Sequence, residues 1–502
     1  MFDIGRQFFK NIFSSWFAYL IRIVITFLFV PYITTVLGGE RYGVWVIIFQ
    51  TIFYFSLLDC GFSSALTRYI SKYLSQKDFQ GINKILNSAN LLYLIIGVLV
   101  FGGVYLFVTF FFDYFKISDP ALIQEGKNAL LILGAFMAFN FIALPFGNSL
   151  GAFHRYDIVN GLNIAEEIIR TIIMVFMLYR GNGLVELAFV ILLLTVVKHL
   201  AGVAILLKLY PELNFAPGNS DKPTIKMLYG YSKISLGISL CWLLIYNTDT
   251  ILLGFMTSSA AAAIYYPGAQ LMRYIRNVIN AVAIPLVPAI SHLETVSDLT
   301  VIRDIYLKAI KYVSYFSFAL AGGVIVYAQY FVNLWLPPEF YEAGMIMKIL
   351  AIGTAFLLPQ IIGESVLFAV EQHRKLLFVL IIETVIKLLL AFPLIKMYGL
   401  IGMAYSVVIP QVLLFTTLYP YIMAKVLKSE FSTIIKVISK AAIPGLLITM
   451  PLANLMQYAY PPETWFAFFV NLAIIFIAVL ILGFTISDTK DRKKITGWIK
   501  II

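Results

Sequence analysis

In EEIIRTIIMVFMLYRGNGLVELA, residues 166–188, the part from Glu167 onward aligns with ETVIKLLLAFPLIKMYGLIGMA, residues 383–404, at an offset of 216. Glu167 then falls on Glu383, Gly183-Leu184 on Gly399-Leu400, and Ala188 on Ala404. The same offset places Leu37-Gly38 on Leu253-Gly254, and His154-Arg155 and His373-Arg374 each stand in a short polar turn ahead of one segment. The chain reads as two related halves. Six helices in each half is an even number, so the halves share an orientation and are expected to relate by an axis along a membrane normal.

Composition says what surrounds those halves. Of 502 residues, 61% are hydrophobic and only 13% charged, with a mean hydropathy of +0.90. A soluble domain usually carries about 25% charged residues, so this is an integral membrane protein. The net charge of +11 does not indicate nucleic acid, because the basic residues lie in short loops where they set orientation. Cys60 and Cys241, the two cysteines, both stand in apolar runs and make no disulfide framework. The N-terminal apolar run has no small-residue cleavage site and is expected to be a retained first helix.

The apolar runs place about fourteen transmembrane helices in an all-α fold. The first six lie near 16–37, 43–66, 85–112, 129–153, 161–179 and 184–209. The next six lie near 234–256, 264–290, 312–332, 346–370, 377–397 and 399–424, and two more near 441–459 and 465–486. Three regions follow: a six-helix bundle over 1–209, a second over 210–424, and two appended helices with a basic tail over 425–502. Of the 37 Lys and Arg residues, 25 fall in segments on the side of the termini, 6 on the opposite side and 6 within spans. That bias predicts cytoplasmic termini. The tail TKDRKKITGWIK, residues 489–500, is expected to rest on anionic lipid headgroups.

Several short stretches are similar to a known family. FLFVPYITTVLGGERYGVW (27–45), LLDCGFSSALTRYIS (57–71), LPFGNSLGAFHRYDIVN (144–160), NTDTILLG (247–254) and YYPGAQLM (265–272) resemble the polysaccharide flippases often called Wzx. The wider superfamily includes multidrug extruders and lipid II flippases. The resemblance covers nearly the whole chain, most weakly the last two helices. It implies two MATE-like bundles of six helices with two helices appended. It also implies export of an undecaprenyl-pyrophosphate-linked glycan across the bacterial inner membrane, for cell-surface polysaccharide such as O-antigen.

Charge inside the bilayer is expensive and marks function or pairing. The cations within spans are Arg22, Arg170, Lys198, Arg273, Arg276 and Lys387; the acids are Asp59, Glu166, Glu167, Asp249, Glu364 and Glu383. Arg273 and Arg276 are three apart on one helix face, with no acid within a turn of either. Counting from residue 264, they lie roughly 14 and 18 Å deep. Their guanidiniums suit pyrophosphate oxygens, which they meet two at a time; a cross-helix salt bridge is the competing reading. Arg22 either touches ligand or snorkels to headgroups, and Lys198 is a further cleft cation. An unperturbed histidine titrates near neutral pH, so His199 is a candidate proton carrier. Glu166 and Glu167 with Arg170, and Glu383 with Lys387, make local pairs that are either struts or a coupling-ion site. Asp249, in the run CWLLIYNTDTILLGFM (241–256), is read as counter-ion to the Arg pair or as a proton carrier. Asp59, beside Gly61, is read as a cap or gate. Prolines 31, 145, 285, 288, 359, 393 and 410 interrupt spans and permit bends.

The leading expectation is a flippase that moves a polyprenyl-pyrophosphate-linked oligosaccharide between leaflets by alternating access, and not an enzyme. No G-x-x-x-x-G-K-[ST] motif is present, so no P-loop drives it; no cofactor is expected beyond a coupling ion, H⁺ or Na⁺. A multidrug cation extruder would favour acids over arginines in the cleft. A membrane polymerase or ligase would need a larger outer loop than DYFKISDPALIQEGKN, 113–128. The chain is expected to act as a monomer, with polysaccharide polymerase machinery as a partner.

Overall fold

The computed structural model describes residues 4–214, 233–283 and 299–486, with residues 224, 286, 287, 290, 291 and 293. Pro285, Pro288 and the basic tail lie outside them. The chain separates into two compact units, Met1–Ala263 and Ile264–Ile502. All regular structure among the described residues is helical.

Unit 1 contains α1 (Ile4–Tyr54), α2 (Phe62–Ser75), α3 (Phe79–Phe110), α4 (Pro120–Ala152), α5 (Tyr156–Tyr179), α6 (Leu184–Leu209) and α7 (Lys233–Met256). It also contains the first turn of α8 (Ser259–Ala283); the rest of α8 belongs to unit 2. A helix of 51 residues would extend roughly 75 Å, more than twice a hydrocarbon core. Gly38 resolves this: at φ 72° it leaves the helical region, and α1 is two spans joined there. A side chain is strained at that φ, whereas glycine is not. α3 and α4 start where the sequence caps them. Asp78 accepts from Gly81 N at 2.8 Å, and Asp119, ahead of Pro120, accepts from Ala121 N at 2.8 Å.

The second span departs from the sequence reading, which ran it unbroken over 43–66. After Tyr54 the chain tightens into a 3₁₀ turn, Phe55–Asp59, then Cys60 and Gly61 are left-handed at φ 49° and 77°. A fresh helix, α2, begins at Phe62 and carries RYISKYLS, expected to be loop, as its amphipathic C-terminal half. It buries Phe62, Ala65, Leu66 and Ile70. The break follows from Gly61, since one residue with freedom at positive φ is enough to redirect a helix.

α7 belongs to unit 1 through close contacts. Its last turn is tied to the connection after α3, with Lys116 N donating to Gly254 O at 3.0 Å and Lys116 Nζ to Met256 O at 2.6 Å. The second arm of α1 meets the start of α8 so closely that a Cβ on Gly43 would overlap the Ser259 carbonyl.

Unit 2 continues with α9 (Leu299–Trp335), α10 (Ala343–Ala369), α11 (His373–Thr416), α12 (Leu418–Val426), α13 (Phe431–Ala459) and α14 (Trp465–Ile486). α11 turns at Gly399, φ 56°, and is again two spans. The appended helices pack on α9: Tyr315 OH donates to Val479 O at 2.8 Å and Tyr327 OH to Ala453 O at 3.1 Å. Phe331, Trp465 and Phe468 fill the seam between α9 and α14 with edge-to-face rings. Among the described residues ten helical stretches suffice by length and hydropathy to cross a membrane, and the first and eighth of these carry the turns at Gly38 and Gly399. Counted as two spans each, and joined by the more polar α5 and α8, they make the expected fourteen.

Candidate functional site

Two clusters of charge are built inside the spans, one in each unit. In unit 1, α5 supplies the acids. Glu166 and Glu167 stand ten and eleven residues into a helix of 24, near mid-membrane, on the side turned to α1 and α6. Arg170 Nη1 lies 2.7 Å from Glu166 and Nη2 3.7 Å from Glu167. Arg22 on α1 reaches Glu167 through Nε at 3.1 Å, and Lys198 on α6 approaches Glu166 at 3.7 Å. Three cations therefore share two carboxylates, one positive charge in excess. The acids are the covered members, at 9% and 13% exposure, while the Arg22 side chain is 54% exposed. The local pairs read from sequence are thus parts of a network across three helices. Beside it, His199 Nε2 lies 3.0 Å from Asn140 Oδ1 and its ring meets Phe139 edge-on.

In unit 2 the cluster is closed and balanced. Arg276 on α8 pairs with Glu364 on α10 at 3.8 Å, with side chains only 11% and 9% exposed. Glu383 and Lys387 on α11 are buried at 2% and 1%. The Glu383 carboxylate is hydrogen-bonded by Gln411 and feels the charges of Arg276, Glu364 and Lys387. Two cations face two carboxylates. Arg273, one turn earlier, is occupied differently: its Nε donates to Gln270 Oε1 at 2.9 Å and its guanidinium lies 5.3 Å over the Tyr266 ring.

Asp249 is buried on α7 at 7% exposure, in a polar band facing the second arm of α1. Gln50 Nε2 donates to Asn247 Oδ1 at 3.2 Å, Tyr54 and Thr248 share a hydroxyl contact, and Tyr54 lies within electrostatic reach of Asp249. Asp59 closes the 3₁₀ turn of the broken span. Its Oδ1 accepts from Tyr93 OH at 2.6 Å and from Ser63 N, in the first turn of α2, at 3.3 Å.

Sequence reasoning counted Glu364 among the intramembrane acids without giving it a role, and did not single out Gln411 or Asn140. Spacing within one span could not find them, because each meets its partner on a different span. The available signal was a polar side chain inside an apolar span: Gln411 directly follows Pro410, and Asn140 stands in FMAFNFIAL, 136–144.

The comparisons agree with this architecture. Lipid II flippase MurJ, in an inward closed conformation, superposes with a TM-score of 0.71 at 14% identity, over 93% of this chain and 96% of that one. An inward-facing multidrug resistance MATE family transporter of the MOP superfamily gives 0.66 at 14% identity, over 82% and 95%. In sequence, the membrane protein EpsK of Bacillus subtilis is 21% identical over 68% of each chain. A membrane protein of Methanocaldococcus jannaschii is 22% identical over 69% of this chain and 70% of its own length. At 14% identity both likenesses show a shared fold. The family model described as polysaccharide biosynthesis protein matches residues 8–294; with more than half its length so matched, the chain belongs to the polysaccharide biosynthesis protein family.

Proposed function

We propose that the protein flips a polyprenyl-pyrophosphate-linked oligosaccharide from the cytoplasmic to the outer leaflet of a bacterial inner membrane, by alternating access. Family membership supports a lipid-linked glycan as substrate, and the MurJ-like fold supports flipping as the mode of transport. The observation that carries the reading is the unit 1 cluster. An uncompensated positive charge at mid-membrane, with one guanidinium half open, suits an anion rather than a drug cation. Arg22 is the residue best placed to exchange Glu167 for a phosphate oxygen, because both partners are charge-assisted donor–acceptor pairs of the same geometry. Arg170 and Lys198 hold the acids in place and supply the remaining field. Sugar and pyrophosphate pass through the protein while the polyprenyl tail stays in lipid. An ion gradient, the membrane potential or consumption of the glycan outside drives the cycle.

The test is translocation of polyprenyl-pyrophosphate-linked glycan in proteoliposomes. The parent protein is expected to flip it, and Arg22→Ala is expected to lose most of that activity while remaining folded. Transport of hydrophobic cations in place of the glycan would move the protein to the multidrug class and overturn the proposal.

A further inference from the structure

The break in the second span leaves a cavity of about 460 Å³ within unit 1, between the 3₁₀ turn, the start of α2 and α7. That is within the roughly 300–1,000 Å³ range of small-molecule sites. Neither the arginines nor the lysines line it. Its polar wall is made by Ser56, Asp59, Ser63, Ser64 and Thr67 with Ser239 of α7, and its apolar wall by Leu57 of the turn and Leu236 and Leu243 of α7.

Three of the five hydroxyl protons on that polar wall are committed. Ser56 donates to Phe53 O at 2.6 Å, Ser64 to Gly61 O at 2.8 Å and Thr67 to Ser63 O at 3.0 Å. These three hydroxyls therefore offer the cavity only lone pairs, and the Asp59 carboxylate, when ionised, accepts only. Asn148 Nδ2 is spent on Ser63 Oγ at 2.7 Å. An acceptor-rich wall repels phosphate and selects a ligand that brings several donors. Among the described residues no group of three or more His, Cys, Asp or Glu side chains is arranged to hold a metal ion, and the volume far exceeds what a single ion needs. A hydroxylated ring, with donors on its edge and C–H faces for the leucines, fits both walls.

We infer that this cavity is a sugar-binding subsite, taking one residue of the glycan through its hydroxyl groups, separate from the charge cluster that meets the pyrophosphate. The inference rests on the proposed function and adds a second recognition element to it. Asp59 then has two tasks: it caps α2 and accepts from the bound sugar.

Cys60 lines the same cavity and reports on it without any substitution. Alkylation of Cys60 by N-ethylmaleimide is followed by peptide mass spectrometry, which separates it from Cys241. The competitor is the polyprenyl-linked glycan extracted from the cells that make it, used before and after mild acid has cleaved the glycan off. At ten times its half-saturating concentration the intact lipid is expected to slow alkylation about tenfold, and the cleaved lipid to leave it unchanged. Equal protection by both lipids, protection by neither, or protection by sodium ions in place of the glycan would overturn the assignment. A second arm uses Thr67→Val, which keeps volume and removes a hydroxyl. The half-saturating glycan concentration is expected to rise about fivefold, and no rise counts against the subsite. Flipping by the parent protein is measured on the same extract. Flipping without protection removes only the subsite; absence of flipping removes the function on which it rests.

Discussion

Replacing Arg276 with methionine is expected to destabilise unit 2, and restoring neutrality should bring much of that stability back. The substitution leaves Glu364, Glu383 and Lys387 together, one negative charge in excess, in a site where the pair is only 11% and 9% exposed. At the 3.8 Å separation, Coulomb attraction at an effective dielectric of about 20 is roughly 4 kcal/mol. Removing one member of a buried pair costs about 3–5 kcal/mol. We expect a loss of about 3 kcal/mol, a shift of roughly 150-fold in the folding equilibrium. The double variant Arg276→Met with Glu364→Gln removes both charges and leaves Glu383 with Lys387. Its stability should exceed the sum of the single losses by about 2 kcal/mol. The assay is thermal unfolding of the purified proteins in one detergent, alongside their steady-state amounts in membranes. Losses that add within about 0.5 kcal/mol would refute the pairing. An Arg276→Met protein as stable as the parent but inactive in flipping would return Arg276 to the substrate.

The remaining expectations concern unit 1 and orientation. Arg22→Ala should lower flipping about tenfold or more with the protein still folded, since Glu167 keeps Arg170 at 3.7 Å; Arg22→Lys should recover only part of the rate because it lacks the planar fork. Gly43→Ala should cut the amount of folded protein in membranes sharply, because its methyl group would overlap the Ser259 backbone, which cannot rotate away. Glu125→Gln should lower stability by about 1 kcal/mol, as Glu125 braces Arg41 at 3.0 Å and the Leu184 amide that opens α6 at 2.6 Å. A reporter fused after Ser487 should behave as a cytoplasmic one; activity of a periplasm-dependent reporter there would reverse the orientation.

The helices were legible because membrane spans are written in length and hydropathy alone. The turns at Gly38 and Gly399 stood at or next to expected span ends, since glycine is the residue that admits those dihedrals. The broken second span was not legible, although Gly61 was noticed. Leu57, Leu58 and Phe62 keep the apolar count high across the break, and hydropathy does not register backbone direction. The charges were all found, since each is conspicuous in an apolar run, but of their partners only those one turn away on the same helix were, as with Arg170 beside Glu166 and Glu167. Glu383 and Lys387, four apart, looked like a private pair; Arg276 and Glu364 also act on that carboxylate. Spacing along one helix is a local quantity, and which helix lies alongside is not. The same limit applies to Asn247 and Asp249, whose respective polar neighbours Gln50 and Tyr54 come from the other end of unit 1's sequence.

The two clusters differ in a way that bears on which of them ligand opens. A glycan's pyrophosphate gains nothing from a charge pair that costs several kcal/mol to separate, because that cost is subtracted from binding. The Arg276–Glu364 contact, covered on both sides, is such a pair. The Arg22–Glu167 contact is not: its cation is 54% exposed, so a ligand reaches the guanidinium without unpacking the helices around it. Glu167 also keeps Arg170, at 3.7 Å, when Arg22 leaves, so no buried carboxylate is stranded. On the proposed reading, unit 2's cluster therefore serves as a rigid strut through the cycle. Unit 1's cluster is the one that can trade a protein carboxylate for a phosphate and trade it back on release.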